Sequence, residues 1–152
     1  MTEEIKTFFV DGGCTGNEQK DPSKRRALIC FVDTSIPNHR ELADLLPQVG
    51  ISGPKLKFPS NNVSEIVAIW SAMKYSYQHG YKNIIIKSDS FTSICWFKSG
   101  KLKNRKINDP EYVEYVLGRI NKLKPWFNSI QIEQISREVN EAGKIIEEKY
   151  EL

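Results

Sequence analysis

The chain has 152 residues and a net charge of +3, with 39% hydrophobic and 27% charged residues. This size and composition fit one domain over residues 1–152 and exclude a wholly disordered chain or a collagen-like repeat. The longest clearly apolar run, residues 27–32, is far shorter than the roughly 20 residues that cross a bilayer, so we expect no membrane segment.

The cysteines and the N-terminus favour a reducing compartment. Cys14, Cys30 and Cys95 are odd in number and far apart, which indicates free thiols rather than a disulfide framework or a zinc site. The first residues lack the basic and then apolar segments of a secretory signal. We therefore expect a cytoplasmic protein, and a monomer. Its pI near 8.7 permits a polyanionic partner without requiring one.

The first part of the chain predicts two strands followed by an irregular segment. Residues 5–10 are rich in β-branched and aromatic residues and stop at Asp11-Gly12-Gly13, a turn signal. Residues 27–32 form the second predicted strand, joined to the first by an extended basic loop. Prolines interrupt residues 36–59, where we expect one or two helical turns at 40–46 and a short strand at 55–58.

From Val63 the hydrophobic residues fall at helical spacing until Gly80. A uniformly apolar strand follows at residues 84–86, a pattern typical of a strand covered on both faces. The remaining predicted elements are a helix at 90–97, a helix that starts with the cap Asp109 and Pro110, a strand at 130–135 and a helix at 140–150. This order predicts an α/β fold in which helices pack on the faces of a mixed sheet.

Three acidic residues lie at informative places in this pattern. Asp11 ends the first strand, Glu65 lies in the first turn of the long helix, and Asp89 follows the strand at 84–87. If those two strands are parallel neighbours, their carboxyl ends open into one crevice. Carboxylates gathered there raise one another's pKa unless a hard cation such as Mg²⁺ compensates them. Two such ions about 4 Å apart can promote phosphodiester cleavage.

Each acidic residue also has a simpler explanation. Asp11-Gly12-Gly13 is most often only a turn. The segment from Asn62 to Glu65 fits a capping box, and Asp89-Ser90 fits a cap of the next helix. Only the combination of the three indicates a site.

Three segments of the chain resemble the signature blocks of type 1 ribonuclease H. They are the residues around Asp11-Gly12-Gly13, residues 60–65 (SNNVSE) and residues 86–90 (IKSDS), and the likeness extends from about residue 5 to 147. The resemblance implies an RNase H-like fold with a five-stranded mixed sheet and helices on both faces. It also implies that Asp11, Glu65 and Asp89 are catalytic and bind Mg²⁺, with Mn²⁺ as an alternative.

The same resemblance implies an RNA–DNA hybrid as the partner. The residues that it places along the minor groove or close to the substrate are Cys14, Asn17, Asn61, Asn62 and Ser90. Asparagine amides and exposed backbone N–H groups suit the 2′-hydroxyls that distinguish RNA from DNA in that groove.

The basic run at residues 98–106 either contacts the nucleic-acid backbone or forms a solvated loop. The neighbouring Trp96 and Phe97 either stack on the substrate or, as we prefer, pack in the core.

The C-terminal end departs from the family pattern. The family has a fourth acidic residue at the start of its last helix, where this chain has Gly143, and no histidine follows His79. Glu147, one turn further along the helix, is a candidate replacement because helical side chains tilt toward the N-terminus. Glu141 is a second candidate, and the alternative is that both are solvated surface acids.

The predicted function is therefore Mg²⁺-dependent hydrolysis of the RNA strand of RNA–DNA hybrids by two metal ions, leaving a 3′-hydroxyl and a 5′-phosphate. One alternative is a weakly active or inactive module that binds hybrid or double-stranded RNA. The other is a nuclease of the same fold that acts on a different nucleic acid.

Overall fold

A computed structural model describes residues 4–15, 21, 25–45, 56–57 and 60–150. The strands are β1 (Lys6–Thr15), β2 (Arg26–Asp33), β3 (Glu41–Leu45), β4 (Asn83–Ser88) and β5 (Ser129–Gln134). The α-helices are α1 (Asn61–Gln78), α2 (Phe91–Ser99), α3 (Pro110–Leu123) and α4 (Glu141–Tyr150). Short 3₁₀ turns lie at Lys124–Trp126 and Arg137–Val139.

The strands form one mixed sheet in the order β3-β2-β1-β4-β5. Strands β1, β2 and β3 are antiparallel neighbours, whereas β4 runs parallel to both β1 and β5. The predicted five-stranded mixed sheet is therefore confirmed.

Helices cover both faces of the sheet, as predicted. On one face the larger core joins α1 and α3 to the sheet through side chains such as Phe8, Ile66 and Val116. On the other face α4 packs Ala142 and Ile146 against β2. Successive side chains of β2 point alternately into the two cores, which explains why its apolar run is continuous.

The expectation for β4 is only partly met. Its side chains alternate between buried and half-buried positions, because α4 packs over β1 and β2 rather than over β4.

Two local predictions are wrong because strand pairing extends further than the sequence indicates. Asp11-Gly12-Gly13 is not a turn, since β1 continues to Thr15 in register with β2. Residues 41–45 form β3 rather than helical turns, since they pair with the outer edge of β2. The strand predicted at 55–58 falls partly outside the described residues, and residues 56–57 lie in no regular element.

The helix caps match the predicted ones only in part. Ser60 is the N-cap of α1, where its hydroxyl accepts a hydrogen bond from the Val63 amide at 3.3 Å, so the capping box from Asn62 to Glu65 is wrong. Of the predicted cap Asp89-Ser90, Ser90 is the residue that caps α2. Asp109 lies at the N-cap position of α3 but makes no capping bond, and its carboxylate instead accepts from the Lys57 amide at 2.6 Å.

Sequence reasoning missed a buried polar cluster at the end of β2. The carboxylate of Asp33 accepts hydrogen bonds from the Tyr75 and Tyr81 hydroxyls, each at 3.0 Å. Both histidines of the chain pack against the Tyr75 ring. These contacts join α1 to the sheet away from the three acidic residues.

In the described residues no disulfide bond joins Cys14, Cys30 or Cys95, in agreement with the expected reduced thiols. Within the described part of the chain, none of the helices combines the length and the apolar character needed to cross a bilayer.

Candidate active site

Asp11 and Asp89 are brought together by the parallel pairing of β1 with β4. The pairing runs from Lys6 opposite Ile84 to Phe9 opposite Lys87, and the same register continued by two residues sets Asp11 opposite Asp89. Beyond Phe9, however, β1 pairs only with β2. The two strands therefore separate where these acids lie, and a crevice opens at their carboxyl ends.

Glu65 joins them because α1 packs directly on the β1 backbone at Gly12. A Cβ atom on Gly12 would lie 2.3 Å from the carbonyl carbon of Ser64 and 2.4 Å from the amide nitrogen of Glu65. The Ser64 hydroxyl also donates to the Gly13 carbonyl at 2.9 Å. This close approach brings carboxylate oxygens of Glu65, Asp11 and Asp89 within 4.8 Å of one another.

The electrostatics of this cluster disfavour the simultaneous ionisation of all three carboxylates. Burial, followed by the charge of Asp89, raises the pKa of Asp11 to about 6. Burial, followed by the charges of Asp11 and Asp89, raises the pKa of Glu65 to about 10. One oxygen of Glu65, Oε2, is buried without a hydrogen-bond partner among the described residues. A buried acceptor that lacks a donor, in a set of hard oxygen ligands, fits a divalent cation such as Mg²⁺.

Asn140 fixes Asp89 from the start of α4. Its side-chain amide donates to Asp89 Oδ2 at 2.9 Å and to the Val10 carbonyl at 3.0 Å, while its oxygen accepts from the Ala142 amide at 3.1 Å. The side chain is fully buried. Sequence reasoning assigned Asn140 only as the beginning of the last helix, and an asparagine at a helix start was the available signal for this role.

Gly143 faces Asp11 across the crevice. A Cβ atom there would lie 2.9 Å from Asp11 Oδ2, so an acidic side chain at this position would join the cluster. Glu147 lines the same cavity of about 260 Å³, together with Arg137. These two form an ion pair at 3.4 Å. Glu141 lines a different concavity beside Ile36.

The predicted substrate-binding residues are distributed unevenly around this cavity. Asn61 is exposed and lines it, and Cys14 lines it with a buried side chain. Asn62 is exposed and lines a neighbouring depression of about 230 Å³ beside Trp96. Ser90 caps α2 and donates to the Ser93 hydroxyl. Asn17 lies outside the described residues.

The segment after α2 matches one expectation and leaves another open. Phe97 is 5% exposed and belongs to the core, as preferred, whereas Trp96 is half-buried. The cations of residues 98–106 are all exposed, and Arg105 pairs with Glu114 at 2.8 Å. The remaining cations there are compatible with either a contact surface or a solvated loop.

The five-stranded sheet and the acidic cluster at its split strands define an RNase H-like protein. A family model described as Reverse transcriptase-like matches residues 48–145, and the chain belongs to this family, whose fold is RNase H-like. The matched region includes Glu65 and Asp89, and Asp11 precedes it. No curated protein sequence matches the chain.

Solved RNase H structures share the fold. The RNase H1 of Halobacterium salinarum NRC-1 has a TM-score of 0.62 at 18% identity and covers 98% of this chain and 100% of its own. The N-terminal RNase H domain of a Mycobacterium tuberculosis protein has a TM-score of 0.60 at 15% identity, and the match covers 93% of this chain and 95% of that one. LC11-RNase H1, isolated from compost and solved with an RNA/DNA hybrid, has a TM-score of 0.56 at 19% identity, and the match covers 90% of this chain and 88% of that one. The predicted RNase H-like fold is thereby confirmed.

Proposed function

We propose that this chain is a metal-dependent endonuclease that hydrolyses the RNA strand of RNA–DNA hybrids, using Asp11, Glu65 and Asp89. The observation that carries the proposal is the set of carboxylate oxygens within 4.8 Å at the split between β1 and β4. The fold shared with RNase H1 structures, one of them solved with an RNA/DNA hybrid, supports the choice of substrate.

The donor set suits Mg²⁺ or Mn²⁺, because it offers only carboxylate oxygens and one of them, Glu65 Oε2, has no hydrogen-bond partner among the described residues. Asp11 and Asp89 would bind the cations at the open side of the cluster. Glu65, which is buried beneath them, would hold one cation and accept a hydrogen bond from the attacking water. Bound divalent ions would supply a more acidic water and stabilise the charge that develops on the leaving oxygen.

Asn140 acts as a positioning residue in this proposal. Its amide occupies one oxygen of Asp89 and restricts rotation of the carboxylate, which leaves the other oxygen for a ligand. Because the same amide holds the Val10 carbonyl next to Asp11, it couples the geometry of both acidic residues.

The proposed contact surface for the hybrid begins at Asn61 and continues to Asn62 and Trp96. Exposed amides both donate and accept hydrogen bonds, as 2′-hydroxyls require. The surface also includes Cys14, Asn17 and Ser90, as the resemblance of the sequence blocks implies. The basic residues at 98–106 would add contacts to phosphates through counterion release.

Gly143 favours a second candidate function. With no carboxylate opposite Asp11 at this position, the chain could bind hybrids or double-stranded RNA and cleave them weakly or not at all. Glu147 is the nearest available acid in the cavity, but its carboxylate pairs with Arg137. The two candidates differ only in whether binding leads to metal-dependent cleavage.

The test is a panel of labelled RNA–DNA hybrid, duplex RNA, duplex DNA and single strands, incubated with Mg²⁺, Mn²⁺ or chelator. The proposal predicts cuts in the RNA strand of the hybrid, with 5′-phosphate ends and none in chelator. Asp11→Asn should abolish cleavage and retain hybrid binding. The control Glu148→Gln makes an equal charge change on the exposed side of α4, and it should leave cleavage unchanged. Cleavage at the wild-type rate by Asp11→Asn would contradict the mechanism, and binding without any cleavage would favour the second candidate.

A further inference from the structure

A second concavity lies between α1 and α3, on the far side of α1 from the acidic cluster. It encloses about 380 Å³, and we call it the aromatic–basic cleft; its lining residues are Trp70, Lys74, Tyr77, Arg119, Lys122, Leu123 and Trp126. The α1 residues of the cleft are Trp70, Lys74 and Tyr77. With a rise of about 1.5 Å and a rotation of about 100° per residue, they lie about 8–18 Å from Glu65 along the helix axis. Around that axis they are rotated by about 120–180° relative to Glu65. A nucleic acid bound at the acidic cluster would not fill this cleft.

Two of the three cations of the cleft, Lys74 and Arg119, lie against aromatic rings. The Lys74 amine lies 3.9 Å from the centroid of the Trp70 ring, and the Arg119 guanidinium lies 5.7 Å from that of Tyr115. The Tyr115 ring in turn packs edge-on against Trp70. Cation–π contacts of this kind fix the charges without neutralising them.

Among the described residues, no acidic side chain lines the cleft, and neither Lys74, Arg119 nor Lys122 forms an ion pair with a carboxylate. Lys74 is exposed as a residue, but its amine is shielded from water where it lies against the indole. This burial, followed by the charge of Arg119, lowers the pKa of Lys74. An anion placed between the two cations would offset the repulsion between them and favour the charged form of Lys74.

Aromatic surface lies beside these charges. Tyr77 is 52% exposed and packs edge-on against Trp126 at 4.9 Å. Positive charges next to exposed rings are the combination that binds single-stranded nucleic acid, in which phosphates contact the cations and unpaired bases contact the rings. A duplex would expose its phosphates but not its base faces.

We propose that the aromatic–basic cleft binds a short stretch of single-stranded nucleic acid. Its volume is at the lower end of the roughly 300–1,000 Å³ typical of ligand sites, which suits about one nucleotide and is too small for a duplex. The proposal does not depend on the nuclease activity. In a substrate, the strand that occupies the cleft would be a single-stranded extension of a hybrid or a separate chain.

The direct test measures the anisotropy of fluorescein-labelled dT12 in EDTA, where metal-dependent binding at the acidic cluster is absent. The cleft variant combines Arg119→Gln with Lys122→Gln, and the control combines Arg40→Gln with Lys149→Gln, two exposed cations outside the cleft. Both variants lower the net charge of +3 equally. We expect the cleft variant to weaken binding at least tenfold and to reduce the salt slope by about 0.7 for each lost phosphate contact. The control should bind within twofold of wild type.

Three results would overturn the proposal. One is equal weakening by the control variant, which would mean that only net charge matters. Another is full displacement of dT12 by dTMP when the dTMP concentration equals that of dT12 counted in nucleotides, which would indicate a site for a free nucleotide. The third is unchanged binding by the cleft variant.

A second variant covers the case in which the double substitution unfolds the protein. Tyr77→Ser removes only a half-exposed ring and should weaken dT12 binding without lowering the salt slope. Unchanged binding by Tyr77→Ser would also overturn the proposal. Cleavage of a blunt hybrid, measured in parallel, should be the same for the cleft variant and wild type, so a failure of the nuclease proposal is seen separately.

Discussion

Replacing Gly12 by alanine tests how closely α1 must approach β1 to form the acidic cluster. The new Cβ atom would lie 2.3 Å from the Ser64 carbonyl carbon, whereas ordinary van der Waals contact begins at 3.4 Å, so this atom would be about 1.1 Å too close to the α1 backbone. Neither neighbour is the end of a flexible side chain. The first turn of α1 must therefore move away from the sheet, and Glu65 must move with it.

The cost of this movement follows from core packing. Forcing extra volume into a close-packed interior destabilises a protein by about 1–3 kcal/mol, and a clash with a helix backbone belongs at the upper end. For a chain of this length, about 3 kcal/mol lowers the melting temperature by about 6–12 °C. Since Glu65 is displaced relative to Asp11, we also expect Gly12→Ala to lose most of the stabilisation that Mg²⁺ or Mn²⁺ confers on the wild type.

The assay is thermal unfolding with EDTA and with a series of Mg²⁺ and Mn²⁺ concentrations. Gly118→Ala is the matched control, because Gly118 lies inside α3 and a Cβ atom there meets nothing within 4 Å. Alanine at that position should raise stability by about 0.5–1 kcal/mol, since glycine weakens helix interiors. Its response to metal should match that of the wild type.

One combination of results would refute this reasoning. If Gly12→Ala melts within 2 °C of the wild type (about 1 kcal/mol or less) and shows the same metal-induced shift, then the approach of α1 to Gly12 does not position Glu65.

Three further predictions concern the groups around the cluster. In EDTA, the folded-state pKa of Glu65 is about 10, above its ordinary value of 4.5. Between pH 4.5 and pH 10 the folded protein therefore keeps a proton on Glu65 that the unfolded chain has lost, so the free energy of unfolding falls as pH rises through this range. Glu65→Gln should therefore raise the melting temperature at pH 8 and flatten this dependence, and an unchanged profile would contradict the raised pKa. Asn140→Ala should lower the free energy of unfolding by about 2–4 kcal/mol in urea titrations, because it removes a helix cap and the two hydrogen bonds that the buried Asn140 amide donates. It should also reduce metal-dependent cleavage, and full activity would show that Asp89 needs no positioning. Gly143→Asp should lower the melting temperature in EDTA, through repulsion of Asp11, but increase the shift caused by Mn²⁺; an equal shift in the uncharged control Gly143→Asn would exclude a new ligand.

Much of the helical structure was predictable because its signals are local. The apolar spacing after Val63, the glycine at residue 80 and the proline at residue 110 act through residues within one or two turns. The caps were less predictable, since several serines, asparagines and aspartates compete for each helix start. At α1 the cap is Ser60 rather than Asn62, whereas at α2 it is Ser90, the second residue of the predicted cap Asp89-Ser90.

Strand β3 shows where local signals mislead. Its sequence, ELADL, consists mainly of good helix formers, yet it pairs along the free edge of β2. A strand is stabilised by hydrogen bonds to a neighbour that is distant in the sequence, and those bonds outweigh local propensity. The same reason extends β1 beyond Asp11, where glycines otherwise indicate a turn.

The sequence by itself indicated the order of the elements apart from β3, the RNase H-like pattern of its three acidic blocks and the loss of an acid at Gly143. Only the tertiary structure decided that Asp11 lies opposite Asp89 where two parallel strands separate, that Gly12 admits Glu65 beside them, and that Asn140 holds one of the three in place. The physical reason is that these distances depend on the register of paired strands and on the approach of a helix to a sheet. Both arise from contacts between segments that are tens of residues apart in the chain, so no local pattern encodes them.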